Sequence, residues 1–223
     1  MANGLTRLLP NLGGPGGHVR RLYATTVHSV LLYGAPVWAE RVEENPTLCR
    51  RLVAVQRHIV NRAARAYRTV SHVGVTVLAG ILPIDLLAVS QARTYRRLKE
   101  LEAKIGLILP RARAALKLQK REILLQEWED KLSDPRLVSG RRIREAVQPV
   151  LRDWIAKKGR GLTFHVAQVL SGHGCFGEYL CRIGRERTTG CHHCPEQVNS
   201  AQHTLVLPGV GRGAPSPPGG DWG

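Results

Sequence analysis

The chain has 223 residues, enough to bury a sizeable core, and its 43% apolar content is that of an ordinary globular protein rather than a disordered one. Lys and Arg number 33 against 17 Asp and Glu, giving a net charge of +16 and a pI near 10.5, a field that attracts polyanions such as nucleic acid. No apolar run reaches the roughly 18–20 residues that span a bilayer, because Arg, Lys, His or Gly interrupts every candidate, so no membrane partner is expected. The opening MANGLTRLLPNLGG is too weakly apolar for a signal peptide, which predicts a nuclear or cytoplasmic protein with reduced thiols.

Taken in chain order, the pattern is helical throughout. After the Gly-rich Gly13–Gly17, apolar residues recur at Val19, Leu22, Tyr23, Val27, Val30 and Leu31, the one-face spacing of a helix ended or kinked by Pro36. Between Pro46 and Arg68, Leu48, Leu52, Val55, Ile59, Ala63 and Ala66 line one face of a second helix. Arg50, Arg51, Arg57, Arg62, Arg65 and Arg68 lie on the opposite arc, and the stretch contains no acid. Ser71 is placed to cap a short helix closed by Gly80, and Pro83 to open another reaching about Ala103. Pro110 opens a mixed-charge helix that Asp134-Pro135 ends, Ser139 to Lys158 reads as one helix bent at Pro149, and Leu162 to Leu170 as a short one. No alternating strand stands out. The predicted class is mostly α, an irregular helical bundle with a small Cys/His-rich C-terminal module. Residues 1–105 are expected as one helical region, 106–160 as a basic helical connector, 161–207 as the Cys/His-rich module and 208–223 as a disordered Gly/Pro-rich tail.

Four of the five cysteines, Cys175, Cys181, Cys191 and Cys194, crowd among His173, His192, His193 and His203, a grouping that suggests metal rather than disulfides in a reducing compartment. Cys49 reads as a buried small hydrophobe. Six arginines without an acid point to phosphate contact, since a guanidinium fork matches phosphate oxygens bidentately and positions a backbone without reading sequence. Arg141, Arg142, Arg144, Lys157, Lys158 and Arg160 form a looser basic set. The Ser171, His173 and Cys175 of SGHGC lack an orienting acid, and flanking glycines make the segment a turn rather than a nucleophile site. No complete catalytic set is present, and no small-molecule substrate is expected.

Several strings in this order, PNLGGPGGHVRRLYATTVHSVLLYGAPVWAE, YRTVSHVGVTVLAGILP, LTFHVAQVLSGHGCFGEYLCRIGRE, CHHC and AQHTL, resemble the region behind the catalytic domain of insect non-LTR retrotransposon reverse transcriptases. The match is best for the group that inserts into ribosomal DNA or telomeric repeats, and it runs from about Leu9 to Leu207. The resemblance implies a thumb-like region followed by a CCHC zinc knuckle, with an RNA–DNA hybrid, duplex DNA and the element RNA as partners. The polymerase of that family holds its metals with an Asp-Asp pair, and no such dipeptide occurs here. The chain is thus expected to bind nucleic acid without catalysing anything by itself. Cys191-x2-Cys194-x8-His203 matches three of the four knuckle ligands, but the fourth position is Pro208, so zinc is expected to be held weakly or not at all. A donor such as His193 or Cys181, a water, or no closure at all are the open alternatives. Back-translation of Leu207 to Gly211 permits CTG CCC GGC GTG GGN, and reading one base later gives Cys-Pro-Ala-Trp, the family's usual continuation. The tail is therefore expected to be out of frame. The competing functional class is a helical protein-interaction module, or a relic with no nucleic-acid role.

Overall fold

The computed structural model describes residues 9–157 and 162–190, and these are helical as expected, with no strand among them. Helix α1 spans Gly17–Leu31, α2 Ala35–Glu44 and α3 Pro46–Ala63, followed by α4 His72–Ala79, α5 Ile84–Ile105 and α6 Pro110–Ser133. Helix α7 (Arg141–Val147) runs through a 3-10 turn at Gln148–Val150 into α8 (Leu151–Ala156), and α9 (Phe164–Ser171) and α10 (Gly177–Arg182) follow. Two compact units are present, one ending at Ser171 and one beginning at Gly172.

Local chemistry sets the boundaries. The Asn45 side chain accepts from the amides of Thr47 at 3.0 Å and Leu48 at 3.1 Å, and Pro46 occupies the first position of α3, where its missing N–H has no helical partner to lose. Ser71 Oγ accepts from Gly74 N at 3.1 Å, and Gly80 closes α4 in the left-handed conformation, both as expected. Two expectations about prolines need correcting. Helix α1 stops at Leu31, and Pro36 sits in the first turn of a separate helix instead of terminating the first. The stretch expected as one bent helix from Ser139 breaks into α7, the 3-10 turn and α8, because Pro149 supplies no amide to the ladder.

The main core gathers Val60, Val70, Val75, Val77 and Leu78 of α3, α4 and their connection against Trp128 and Leu132 of α6, Ile143 and Val147 of α7 and Leu151 of α8. The Trp154 indole donates to the carbonyls of Val77 at 2.9 Å and Leu78 at 3.2 Å, so α8 also closes the C-terminus of α4. A second cluster joins α2 to α5 through Ala35, Ala39, Ala88 and Ala92, small side chains that let two helix backbones approach closely.

A close backbone approach lies between α4 and the turn before α7. Gly140 has φ +68°, and a Cβ there would stand 2.7 Å from Gly74 N and 3.0 Å from Gly74 Cα. A Cβ on Gly74 would meet Ile143 Cδ1 at 2.7 Å, the movable end of a side chain. Gly140→Ala is therefore expected to destabilise by about 2 kcal/mol or more, combining left-handed strain with a backbone clash. Gly74→Ala should cost less. Denaturant midpoints of the two variants check the ranking, and an unchanged midpoint for Gly140→Ala would disprove the contact.

Candidate nucleic-acid interface

The buried faces of α1 and α3 are polar at their centres, which the apolar pattern did not anticipate. Helix α1 buries Arg20, Ala24 and His28 while Val19, Leu22 and Val30 stay exposed. Arg20 is fully buried and donates to backbone carbonyls only: Nε to Pro15 at 2.9 Å, Nη1 to Arg62 at 2.7 Å, and Nη2 to Pro10 and to Gly13 at 3.3 Å. Arg21 Nη2 donates to the carbonyls of Ala79 at 3.2 Å and Gly80 at 3.0 Å, where α4 ends. Burial and the neighbouring Arg65 and Arg62 lower the Arg20 pKa.

Helix α3 is rotated from the expected face. It buries Gln56, Ile59, Val60 and Asn61, and leaves Leu48 and Val55 exposed. Gln56 is the hub. Its Oε1 accepts from Ile84 N at 2.9 Å and lies 2.6 Å from His72 Nε2, while its Nε2 donates to Leu82 O at 2.8 Å and lies 3.3 Å from His28 Nε2. Desolvation lowers the pKa of both His28 and His72 to about 4.

The six arginines of this region divide by what their donors do. Arg57 is half-buried and serves the fold: its Nε donates to Val70 O at 2.8 Å and Nη2 to Arg68 O at 2.7 Å, which fixes the loop after α3. Arg65 holds φ +54° at the position where a Schellman motif usually has glycine, with Ala66 N donating to Asn61 O at 3.0 Å. Its Nη2 reaches Pro15 O at 3.1 Å, the same oxygen that Arg20 uses. Arg50 is exposed and makes local contacts only, to Pro46 O and Thr47 Oγ1, both at 3.2 Å. Arg51, Arg62 and Arg68 make no side-chain hydrogen bond or ion pair among the described residues, and Arg51 and Arg68 are exposed to solvent. Of the second basic set, Arg141 is paired with Glu145 at 2.8 Å, and Arg142 Nε donates to Val169 O at 3.3 Å.

Carboxylates are distributed unevenly around this surface. Among the described residues, the ion pairs lie on α2, α5 to α8 and the α6–α7 connection, for example Arg93–Glu127, Arg96–Glu40, Arg113–Glu102, Arg136–Asp134 and Arg152–Glu129. None involves an arginine of α3 or of the loop that follows it. Guanidiniums left without a carboxylate keep their donors for an external anion.

The metal-ligand residues Cys191, Cys194 and His203, together with His193, Lys158, Arg160 and the tail 208–223, lie outside the described residues. Among the described ones no group of three or more His, Cys, Asp or Glu is arranged to hold an ion. The Ser171 hydroxyl donates back to Gln168 O at 3.2 Å, and the His173 ring packs on Tyr179 at 4.9 Å, which makes SGHGC a helix end and a turn. A shallow pocket lined by Glu129, Glu145, Gln148 and Pro149 offers carboxylates already engaged by Arg152 and Arg141. No helix among the described residues is by itself long and apolar enough to cross a membrane.

No protein-family profile and no solved structure matches the chain. Curated retrotransposon proteins do. Over 196 residues, 83% of the chain, it is 28% identical to the 115 kDa protein in type-1 retrotransposable element R1DM of Drosophila melanogaster. Over 204 residues, 86% of the chain, it is 28% identical to the retrovirus-related Pol polyprotein from type-1 retrotransposable element R1 4 of Nasonia vitripennis. It spans 18% of the first protein's length and 49% of the second's. The resemblance drawn from the sequence strings is borne out: along most of its length the chain is similar to R1 non-LTR retrotransposon proteins, as a retrotransposon-derived region would be.

The buried histidines give a pH dependence with a definite sign. Above pH 6.5 both are neutral folded or unfolded, so the fold loses nothing. As pH falls from about 6.5 towards about 4, the unfolded chain takes up protons that the folded chain refuses, and stability declines by on the order of a few kcal/mol in all. Asp85 opposes the shift at His72, while Lys131, Arg57 and His28 reinforce it. Urea midpoints at pH 7.5 and 5.5 should show the loss before carboxylates titrate, and His28→Gln should reduce it. Equal midpoints would mean that the ring nitrogens are solvated.

Proposed function

We propose that this chain is a nucleic-acid-binding region of a non-LTR retrotransposon reverse transcriptase that grips the phosphate backbone of an RNA–DNA hybrid or duplex DNA, the element RNA included. It carries out no catalysis alone. The observation that supports this most directly is the set Arg51, Arg62 and Arg68, guanidiniums with neither a carboxylate nor a carbonyl partner among the described residues, on a chain of net charge +16. Arg50 and Arg65 add charge beside them, and Arg57 holds the loop that presents Arg68. Contacts of this kind fix register without reading bases, so little sequence preference is expected.

Replacing Arg51, Arg62 and Arg68 together by Gln should flatten the dependence of log affinity on log salt by about two to three, since each neutralised phosphate contributes about 0.7–0.9. An unchanged slope would mean that these side chains are merely solvated and would favour the protein-interaction alternative. The same preparation should incorporate no nucleotide on any primer–template with any divalent metal, because the sequence holds no Asp-Asp pair.

The proposal extends to zinc. Cys191, Cys194 and His203 supply two thiolates and an imidazole at knuckle spacing, so the ion is taken up weakly without a fourth donor. Dialysis against a mild chelator should strip the metal from the chain as it stands, whereas Pro208→Cys should retain one zinc. Stoichiometric zinc in the unaltered chain would show that a further donor closes the site, and single substitutions of His193 and Cys181 would identify it.

A further inference from the structure

Helices α5 and α6 form an antiparallel pair whose outer halves contribute almost nothing to the core. Within residues 93–123 only Ile108 is buried. The pairs Arg93–Glu127 and Glu102–Arg113 hold the two helices side by side, the latter at 3.1 Å, and Arg96–Glu40 ties the root to α2. Beyond Ala92, the last buried residue of α5, this arm continues for about 20 Å at the helical rise. It carries ten Lys or Arg against three Asp or Glu, nearly half of the chain's excess of +16 in a seventh of its length.

The arm's three acids are all engaged, Glu100 by Arg97, Glu102 by Lys99 and Arg113, and Glu122 by Arg152. Lys104, Arg111, Lys117, Lys120 and Arg121 have no carboxylate partner among the described residues. Their arrangement along α6 is directional. Arg113, Lys117 and Arg121 precede the buried Leu124, Trp128 and Leu132 by about three turns each and so share their side of the helix. The stripe that is core in the second half of α6 becomes a cationic rail in the first half. Arg113 is matched by Glu102, but Lys117 and Arg121 have no carboxylate to offset their mutual repulsion among the described residues, so the rail is explained by something outside the chain.

We propose that the α5–α6 arm is a second contact surface for nucleic acid, its rail lying along the phosphate backbone of a duplex. This rests on the reading of the chain as a nucleic-acid-binding region, and adds a surface separate from the arginines of α3. A rod-shaped polyanion fits cations distributed along the arm on one side. A lipid surface would instead call for cations confined to the exposed apolar tip, Ile105, Leu107 and Leu109; Lys104 and Arg111 stand beside that tip, but Lys117 and Arg121 lie roughly 10 Å or more back along the helix.

The test uses the full chain, a 20-base-pair RNA–DNA hybrid and the same-length duplex DNA, both of arbitrary sequence. Lys117→Gln and Arg121→Gln together replace exposed side chains of the rail only, and circular dichroism should show unchanged helix. The salt slope should flatten by about one and a half to two, affinity near 0.1 M salt should fall about tenfold or more, and Arg121→Lys should keep most of it. The length of duplex protected from nuclease should also shorten, which loss of the α3 arginines would not cause. If the α3 variant weakens binding and the arm variant leaves affinity, slope and footprint unchanged, the arm proposal fails while the general reading stands. If the unaltered chain binds neither duplex, the general reading fails. Tighter binding to vesicles containing phosphatidylserine than to either duplex, lost on Leu107→Ser and Leu109→Ser, would assign the arm to lipid and overturn the proposal.

Discussion

The Gln56 amide is the junction at which helices α1, α3, α4 and α5 meet. Fully buried on α3, it touches His28 of α1, His72 of α4, and the Leu82 carbonyl and Ile84 amide that flank the start of α5. An amide in that position makes contacts that no aliphatic side chain of its size supplies, because the segment between α4 and α5 has backbone groups that must be paired. It also constrains the protonation of the core. His28 and His72 are held neutral by burial, so the amide orients against neutral rings, and a proton on either would introduce an uncompensated charge. Arg20 performs the comparable task nearer the N-terminal end of α1, gathering the carbonyls of Pro10, Gly13, Pro15 and Arg62 around one guanidinium. Two side chains thereby fix how α1 meets α3.

These junctions were the least legible part of the sequence. Helical periodicity and capping signals located most elements, and Asn45, Ser71, Gly80 and Pro83 lie at or beside helix ends for ordinary local reasons. The orientation of α1 and α3 was not recovered, because an apolar pattern assigns the buried face to whichever side carries more Val and Leu. Here Val19, Leu22 and Val30 of that side are solvent-exposed in α1 and Tyr23, Val27 and Leu31 only half-buried, while Arg20, Ala24 and His28 face inward. Long-range pairing of a guanidinium with carbonyls of distant segments leaves no periodic trace. Pro36 was misread for a related reason: the missing N–H ends a helix, yet at the first turn it begins one as readily, as at Pro110, and only the preceding turn through Gly34 at φ +68° decides.

The basic residues show why a charge count alone does not identify a binding face. Six arginines follow Pro46 without an acid, and the sequence treats them as equivalent. In the fold they are not. A guanidinium has five N–H donors, and Arg57 directs two of them at the carbonyls of Arg68 and Val70, whereas Arg51, Arg62 and Arg68 direct none at any described residue. The same accounting separates Arg141, whose carboxylate sits one turn away, from Arg51. The clustering was readable and the division of labour was not, since that division depends on which carbonyls are left unpaired at helix ends and loops.

The arm illustrates the opposite limit, a feature written in the sequence but obscured by where the helices were divided. Read as one mixed-charge helix from Pro110 to Leu132, α6 has near-balanced charge, because its acids concentrate in the second half with Glu122, Glu127, Glu129 and Asp130. The acids Glu122 and Glu129 meet Arg152, and Glu127 meets Arg93, so each side of that balance is used to attach the second half to its neighbours. What remains in the first half is excess. Buried arginines in this protein are matched by carbonyl dipoles and those at the root of the arm by carboxylates, so the fold supplies a partner wherever a cation serves structure. At about 0.15 M salt, screening extends over roughly 8 Å, which lets neighbouring rail cations repel one another while leaving the body of the protein largely unaffected. Placing surplus charge on an extended helix pair therefore keeps the destabilisation local, and leaves the core packed by Trp128 and Leu132 indifferent to whether a polyanion is bound.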